Sequence, residues 1–165
     1  MTDRELLEKA AAGDAEALGE LYDRHAPMLY QFALALTRSR DAAEEVVQNT
    51  FLGVLKSRAR LAQVENIRAY LLRVARNEAS HLGGKPVSDP SLLELVEASG
   101  EVPAQEVAEV NEALSKLPEE QLTVVVLKVW QGMTFAEIAQ ALAIPTNTAA
   151  SRYRYAMEKL RKWLT

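Results

Sequence analysis

Basic, amide and aromatic side chains gather in two stretches of the sequence, and their types suit nucleic acid better than a chemical reaction. Residues 56–85 hold seven Lys or Arg against two carboxylates, and residues 152–162 hold five against one. Arginines can hold phosphates, an aromatic ring can support an unstacked base, and an amide can hydrogen-bond a base edge. The sequence therefore predicts two nucleic-acid-binding surfaces.

Residues for catalysis or for metal binding do not form any recognisable motif in the sequence. Cysteine is absent, and the two histidines, His25 and His81, lie far apart. Exposed carboxylate pairs such as Glu44-Glu45 are typical of helix starts, where they complement the helix dipole. We therefore expect no enzymatic activity, no cofactor, no metal site and no small-molecule substrate.

The charge of the chain is unevenly distributed, although the formal net charge is −4. Residues 86–116 carry one basic and seven acidic side chains, whereas residues 117–165 carry six basic and four acidic ones. This pattern favours two basic units joined by an acidic connector, because the distribution of charge decides where nucleic acid can bind.

Helices are predicted along the whole chain, giving an all-α fold. Capped helix starts are predicted at Thr2, Asp14 and Asp41, and a further helix at 65–81. Pro27 is expected to kink or restart the second helix. We expect a four-helix domain at residues 1–85, a flexible acidic linker at 86–102 and a second helical domain at 103–165.

The third predicted helix should have one apolar and one polar side. Apolar residues recur along it at helical spacing and are expected to face the core, namely Val46, Val47, Phe51, Val54 and Leu55. Its acidic and amide residues should then face outward.

The most informative local pattern is a helix-turn-helix at residues 132–164. Thr134 and Glu137 predict a capping box, Ala139 is small enough for close helix packing, and Thr146 or Asn147 is expected to cap a long second helix. Ala149, Ala156 and Leu160 should face inward. The side chains left to contact DNA are Asn147, Thr148, Ser151, Arg152, Arg154 and Tyr155.

These patterns together resemble a known family. Residues 117–121, 134–142 and 148–156 are similar to region 4 of extracytoplasmic-function sigma factors, which belong to the bacterial sigma-70 family. Residues 41–51 resemble region 2.2 of the same proteins, and residues 67–77 resemble regions 2.3 to 2.4. The resemblance covers both predicted domains in the family's order.

The resemblance implies a function in transcription initiation, with core RNA polymerase and promoter DNA as partners. It implies that region 2 captures and helps to open the −10 element, and that region 4 reads the −35 element with the helix-turn-helix residues above. The residues implied at the −10 element are Arg68, Tyr70, Arg73, Arg76 and Asn77. The residues implied to bind polymerase, at the clamp helices of its largest subunit, are Glu44, Glu45, Gln48 and Asn49.

Three features of the sequence depart from the family pattern. The usual basic tail after region 2.4 is replaced by a nearly neutral stretch at 78–84, the usual tryptophan is Tyr70, and Ala150 and Tyr155 stand where Lys or Arg is frequent. Fewer phosphate contacts predict weak DNA binding by the isolated chain and a shallow salt dependence.

Two other functions remain open at this point. A helix-turn-helix regulator would bind operators without polymerase, and a sigma-like decoy would bind partners without opening promoters. The sequence shows neither a signal peptide nor an apolar run long enough to span a bilayer, so we expect a cytoplasmic protein without direct membrane insertion. Sequestration by an anti-sigma factor is a further expectation from the resemblance.

Overall fold

The structure is a computed structural model that describes residues 1–82 (the N-terminal segment) and 103–165 (the C-terminal segment). Both described segments consist of helices and their connections, without a β-strand, so the predicted all-α fold is confirmed. The linker predicted at 86–102 lies outside the described residues, as does the predicted end of the first domain at residue 85.

Four α-helices and one 3₁₀ turn form the N-terminal segment. In chain order they are α1 (Asp3–Ala11), α2 (Ala15–Thr37), α3 (Arg40–Lys56), the 3₁₀ turn (Arg58–Gln63) and α4 (Ile67–His81).

Side-chain caps begin each of these α-helices. The predicted caps at Thr2 and Asp14 are confirmed, since their side-chain oxygens accept backbone N–H groups of the first turns of α1 and α2. The prediction for α3 was wrong: Ser39, not Asp41, is its cap, and the Ser39 hydroxyl accepts the Ala42 amide at 3.3 Å. Asn66 similarly caps α4.

Helix α2 runs without interruption through Pro27, so the predicted restart does not occur. Pro27 is exposed, and its missing N–H therefore leaves the unpaired carbonyl of the preceding turn on the solvent side of the helix, where water can satisfy it.

Helices α2, α3 and α4 bury a shared apolar core. Phe32, Leu29, Leu71 and Leu72 are fully buried within it. Four of the five residues predicted to line the inner side of α3 are also buried, whereas Leu55 is 43% exposed and its assignment was wrong. Val54 is only 2% exposed, so the core extends to this turn of α3, and Leu55 instead lies on the outward side of the helix, three residues after exposed Leu52.

The C-terminal segment contains the predicted helix-turn-helix. Its elements are a 3₁₀ turn (Ala104–Glu106), α5 (Val107–Lys116), α6 (Glu119–Val125) continued by a π-helical turn (Val126–Trp130), α7 (Phe135–Leu142) and α8 (Thr146–Leu164). The predicted cap of α8 was wrong, because Pro145 occupies the cap position and Thr146 and Asn147 are already helical.

The two segments pack against each other rather than standing apart. Helix α2 contacts α6 and the π-helical turn, and α4 lies against α7. The buried apolar residues of both segments form one continuous cluster. The packing therefore brings the predicted DNA-binding helix α4 next to the helix-turn-helix.

Candidate nucleic-acid interface

The helix-turn-helix has a rigid base beneath its outer face. Ala149, Ala156 and Leu160 of α8 are buried as predicted, and half-buried Tyr153 packs its ring on Phe135 of α7 with centroids 5.5 Å apart. Ala139 of α7 is buried, in agreement with its predicted packing role. This packing fixes which side of α8 is turned to solvent.

A complete capping box sets the start of α7. The Thr134 hydroxyl accepts the Glu137 amide at 3.1 Å, and the Glu137 carboxylate accepts the Thr134 amide at 3.0 Å, as predicted. The Thr134 amide, together with its hydroxyl and the nearby Arg68 and Lys128 cations, keeps the pKa of Glu137 below its ordinary value, against a smaller opposing effect of burial.

The turn between α7 and α8 relies on a left-handed residue. Ala143 has φ 56° and ψ 47°, a conformation that usually favours glycine, and it allows the Ile144 amide to donate to the Ala139 carbonyl at 3.0 Å. This Schellman-like hydrogen bond ends α7, and α8 begins shortly afterwards at Thr146.

The residues predicted to contact the −35 element lie together on the first three turns of α8. Asn147, Arg154 and Tyr155 are exposed, whereas Thr148 and Ser151 are half-buried. The Arg154 guanidinium lies over the Tyr155 ring, 5.2 Å from its centroid, which orients both side chains. Polar and basic groups are thus presented near a helix N-terminus, an arrangement that suits base edges and phosphates.

Arg152 has a partner that the sequence did not reveal. Its guanidinium lies 3.7 Å from the Glu120 carboxylate at the start of α6, and its side chain is 25% exposed. Glu120 therefore limits the directions in which Arg152 can point. The Glu119-Glu120 pair gave only the general signal of a helix start.

The five residues predicted at the −10 element all lie on α4, but their surroundings differ. Tyr70 is half-buried and packs against the core cluster, and Asn77 is exposed. Arg73 and Arg76 are exposed, and Arg68 is half-buried with its guanidinium 3.7 Å from Glu137 of the helix-turn-helix. Each of these three arginines also donates to a backbone carbonyl of the C-terminal segment.

The residues predicted to bind polymerase form the outer side of α3. Glu44, Glu45 and Gln48 are exposed, and Asn49 is half-buried. The same side continues into Leu52 and Leu55, which are 49% and 43% exposed. This apolar extension was not predicted, although the spacing of Gln48 and Leu52, one helical turn apart, was a signal for it.

Metal-binding groups and membrane-spanning helices are absent from residues 1–82 and 103–165. No group of acidic or histidine side chains in these ranges is arranged to hold a metal ion. His25 is buried, with its Nε2 3.4 Å from the Asp3 carboxylate, as expected for a satisfied histidine. No helix within the same residues has the length and apolarity needed to span a membrane.

Comparison with known proteins gives a consistent result over most of the chain. The family model of sigma-70 region 2 matches residues 21–82, and that of sigma-70 region 4 matches residues 107–160. The ECF (extracytoplasmic-function) RNA polymerase sigma factor SigL of Mycobacterium tuberculosis is 33% identical over 167 aligned residues, which cover 92% of this chain and 91% of SigL.

Two solved structures are similar to this chain. CnrH, in its complex with the cytosolic domain of CnrY, is 28% identical and matches with a TM-score of 0.73 over 98% of this chain and 96% of its own. RpoE of Bartonella quintana, in complex with the anti-sigma factor NepR, matches in fold with a TM-score of 0.64 at 24% identity, over 84% of this chain and 90% of its own.

Proposed function

The chain belongs to the extracytoplasmic-function group of the sigma-70 family, and from this premise we propose that its two segments contact one promoter at two places. As a sigma factor it directs RNA polymerase to promoters for transcription initiation. It acts by binding.

The division follows the family regions. Residues 1–85 are region 2, which binds core polymerase and the −10 element, and residues 103–165 are region 4, which binds the −35 element. Residues 86–102 connect them. The matched ranges of the two family models lie within these proposed boundaries.

The −35 element is read by α8, and one observation carries this assignment: the outer face of its first turns is basic and polar above a buried apolar base. Arg152 and Asn147 are suited to base edges, because a guanidinium or an amide can bond a base bidentately. Arg154 and the hydroxyls of Thr148, Ser151 and Tyr155 are suited to phosphates.

The −10 element is captured by α4 in its single-stranded form. Arg68, Arg73 and Arg76 hold the backbone, Tyr70 supports an unstacked base and exposed Asn77 hydrogen-bonds a flipped one. Tyr70 is half-buried, so part of its side chain remains accessible to an unstacked base.

Core polymerase is bound by the outer side of α3. Glu44, Glu45, Gln48 and Asn49 provide the polar contacts, and exposed Leu52 adds an apolar one. An apolar group within a polar rim is the usual composition of a protein interface.

Reconstituted transcription tests the function against its two rivals. We expect the purified chain to bind core polymerase in a pull-down and the holoenzyme to give a defined run-off transcript. A regulator that acts without polymerase would give no stable complex, and a decoy would give the complex but no transcript from any promoter. The template comes from sequencing the 5′ ends of transcripts made after overexpression.

Substitution of Arg152 tests the −35 assignment. We expect Arg152→Ala to weaken holoenzyme binding to its −35 duplex by about 1–3 kcal/mol and to relax preference at one base pair, because a bidentate base contact is worth that much. Electrophoretic mobility shifts with single-base variants of the site measure both effects.

Arg161→Ala is the matched control, since Arg161 is exposed near the C-terminal end of the same helix. It should leave base preference unchanged. Equal effects of the two substitutions would contradict a specific role for Arg152.

A second protein partner is also part of the proposal. CnrH is seen bound to the cytosolic domain of CnrY, and we propose that this chain likewise binds a second protein, an anti-sigma factor. The chain is proposed to work in the cytoplasm, where its polymerase and promoter are found. Co-purification from cells in which the chain carries an affinity tag tests for this partner.

A further inference from the structure

A carboxylate lies beside one of the two arginines proposed to contact the −35 element. The Arg152 guanidinium is 3.7 Å from the Glu120 carboxylate, and the Arg152 side chain is 25% exposed whereas that of Glu120 is 72% exposed. Arg154, two residues further along α8, is exposed and lies over the Tyr155 ring instead. Of these two arginines, only Arg152 has an acidic partner within the part of the chain that the structure describes.

The position of the Glu120 carboxylate is set by the packing of α6 on α8. Leu122 and Val124 of α6 and Ala149 of α8 are fully buried, and the two helices are in contact. Pro118 precedes α6 with an extended backbone, so Glu120 lies in the first turn of the helix. The helix dipole favours a negative charge at that end. The carboxylate is therefore held beside α8 by a packed helix.

The separation of the two charged groups leaves the guanidinium able to bind DNA. A distance of 3.7 Å is longer than a hydrogen bond, so the ion pair orients Arg152 without a direct hydrogen bond to Glu120. A guanidinium carries five N–H donors. The donors turned away from Glu120 can still reach O6 and N7 of a guanine in the major groove.

An arginine on a reading helix can bind either a base edge or a phosphate. Phosphates are charged and lie along the whole duplex, and contacts to them carry no sequence information. A phosphate that approaches Arg152 also approaches Glu120, and the two negative charges repel each other. A base edge carries no net charge and meets no such repulsion. The carboxylate therefore favours base contact over phosphate contact at Arg152.

We propose that Glu120 is a specificity-determining positioning residue of the −35 interface, which keeps Arg152 directed at a base edge and away from the phosphates. Glu120 contacts no base itself and acts through Arg152. This inference rests on the proposed function, in which Arg152 reads one base pair. It adds a second cause to the weak DNA binding expected of the isolated chain, since Glu120 lowers sequence-independent affinity.

Glu120 can be replaced without disturbing the fold. Its side chain is mostly exposed, and exposed ion pairs contribute little to stability. Glu120→Gln removes the charge and keeps the shape of the side chain. Glu119→Gln is the matched control, because Glu119 is exposed in the same helical turn but lies outside the ion pair with Arg152. Circular dichroism with urea unfolding checks that both variants fold.

The first readout is base preference. Holoenzyme binding is measured on −35 duplexes that carry each of the four base pairs at the position identified with Arg152→Ala. We expect Glu120→Gln to lower the preference for the favoured base pair by about fivefold or more, because a bidentate contact provides discrimination of at least that size. Glu119→Gln should leave the preference unchanged.

The second readout is the salt dependence of DNA binding by the full chain, measured by fluorescence anisotropy. We expect Glu120→Gln to steepen the logarithmic slope by about 1, because the released Arg152 then neutralises one more phosphate. Glu119→Gln should not steepen it, and neither should Glu120→Gln combined with Arg152→Ala. A purely structural role for Glu120 would not add a phosphate contact.

The outcomes separate this inference from the function on which it rests. If Arg152→Ala relaxes base preference but Glu120→Gln does not, the positioning role is overturned and the −35 assignment stands. Equal effects of Glu120→Gln and Glu119→Gln, or an unchanged salt slope in Glu120→Gln, would also overturn it. If the wild-type holoenzyme gives no transcript, the proposed function fails, and that result does not depend on Glu120.

Discussion

At the scale of single residues, the arginines of this protein differ in the groups that their guanidinium ions contact. Arg152 faces a carboxylate, Arg73 and Arg76 face helix-end carbonyls, and Arg154 faces an aromatic ring. Sequence predicted their presence on outer faces but not their partners. The partners of Arg73, Arg76 and Arg152 lie far away along the chain, and a local pattern carries no information about them.

The capping box of α7 provides a prediction at this scale. We expect Thr134→Ala to reduce the free energy of unfolding by about 1 kcal/mol, because the hydroxyl that accepts the Glu137 amide is lost. Urea denaturation followed by circular dichroism measures the change. Thr146→Ala is the control: Thr146 begins α8 without a side-chain cap, so its loss should matter by less than about 0.5 kcal/mol. A larger loss at Thr146 than at Thr134 would contradict the assignment of caps.

At the scale of elements, helix identity was predictable and helix ends were less so. The capping box at Thr134 was recognised because both partners lie within four residues. Ser39 was missed at the start of α3 because Asp41 offered an equally good local pattern, and the extended backbone at Ser39 decides between them. Leu55 was misassigned because it is apolar and four residues after buried Phe51, yet it lies three residues after Leu52 on the outward side of α3.

The close packing of α7 on α8 at Ala139 can be tested by substitution. We expect Ala139→Leu to destabilise the protein by about 1–3 kcal/mol, because a larger side chain at a buried position forces the helices apart. Ala136→Leu on the same helix is the control, since Ala136 is exposed and should tolerate the change within about 0.5 kcal/mol. Thermal and chemical unfolding of both variants measures the difference. Equal stability of the two would mean that α7 and α8 are not held closely at Ala139.

At the scale of the whole molecule, the structure adds what sequence could not supply, the contact between the two segments. Composition and spacing predicted a helical unit at each end of the chain and the faces that each would present. The docking of α4 against α7 includes hydrogen bonds from guanidinium groups to backbone carbonyls, and backbone carbonyls leave no trace in a sequence. The polar faces of α3 and α8 could be predicted because each depends on its own helix alone.

Salt dependence tests the electrostatics of the molecule as a whole. We expect binding of the isolated chain to a −35 duplex to fall with salt with a logarithmic slope of about −1, since Arg154 is the cation of the proposed reading face that is assigned to a phosphate. Fluorescence anisotropy across a salt series measures the slope. Arg154→Ala should reduce its magnitude by about 1. A slope several units steeper would mean that cations elsewhere on the chain also contact DNA.

The backbone of Arg38 carries one more consequence. This residue ends α2 in the left-handed region, at φ 53°. The backbone of glycine would adopt this conformation with about 1 kcal/mol less strain. Arginine at this position costs backbone strain, but its long side chain reaches the Ser115 and Leu117 carbonyls of the C-terminal segment. Replacement by glycine would relieve the backbone strain at the end of α2 but would also remove the hydrogen bonds of Arg38 to the Ser115 and Leu117 carbonyls, so the two effects on stability oppose each other at one position.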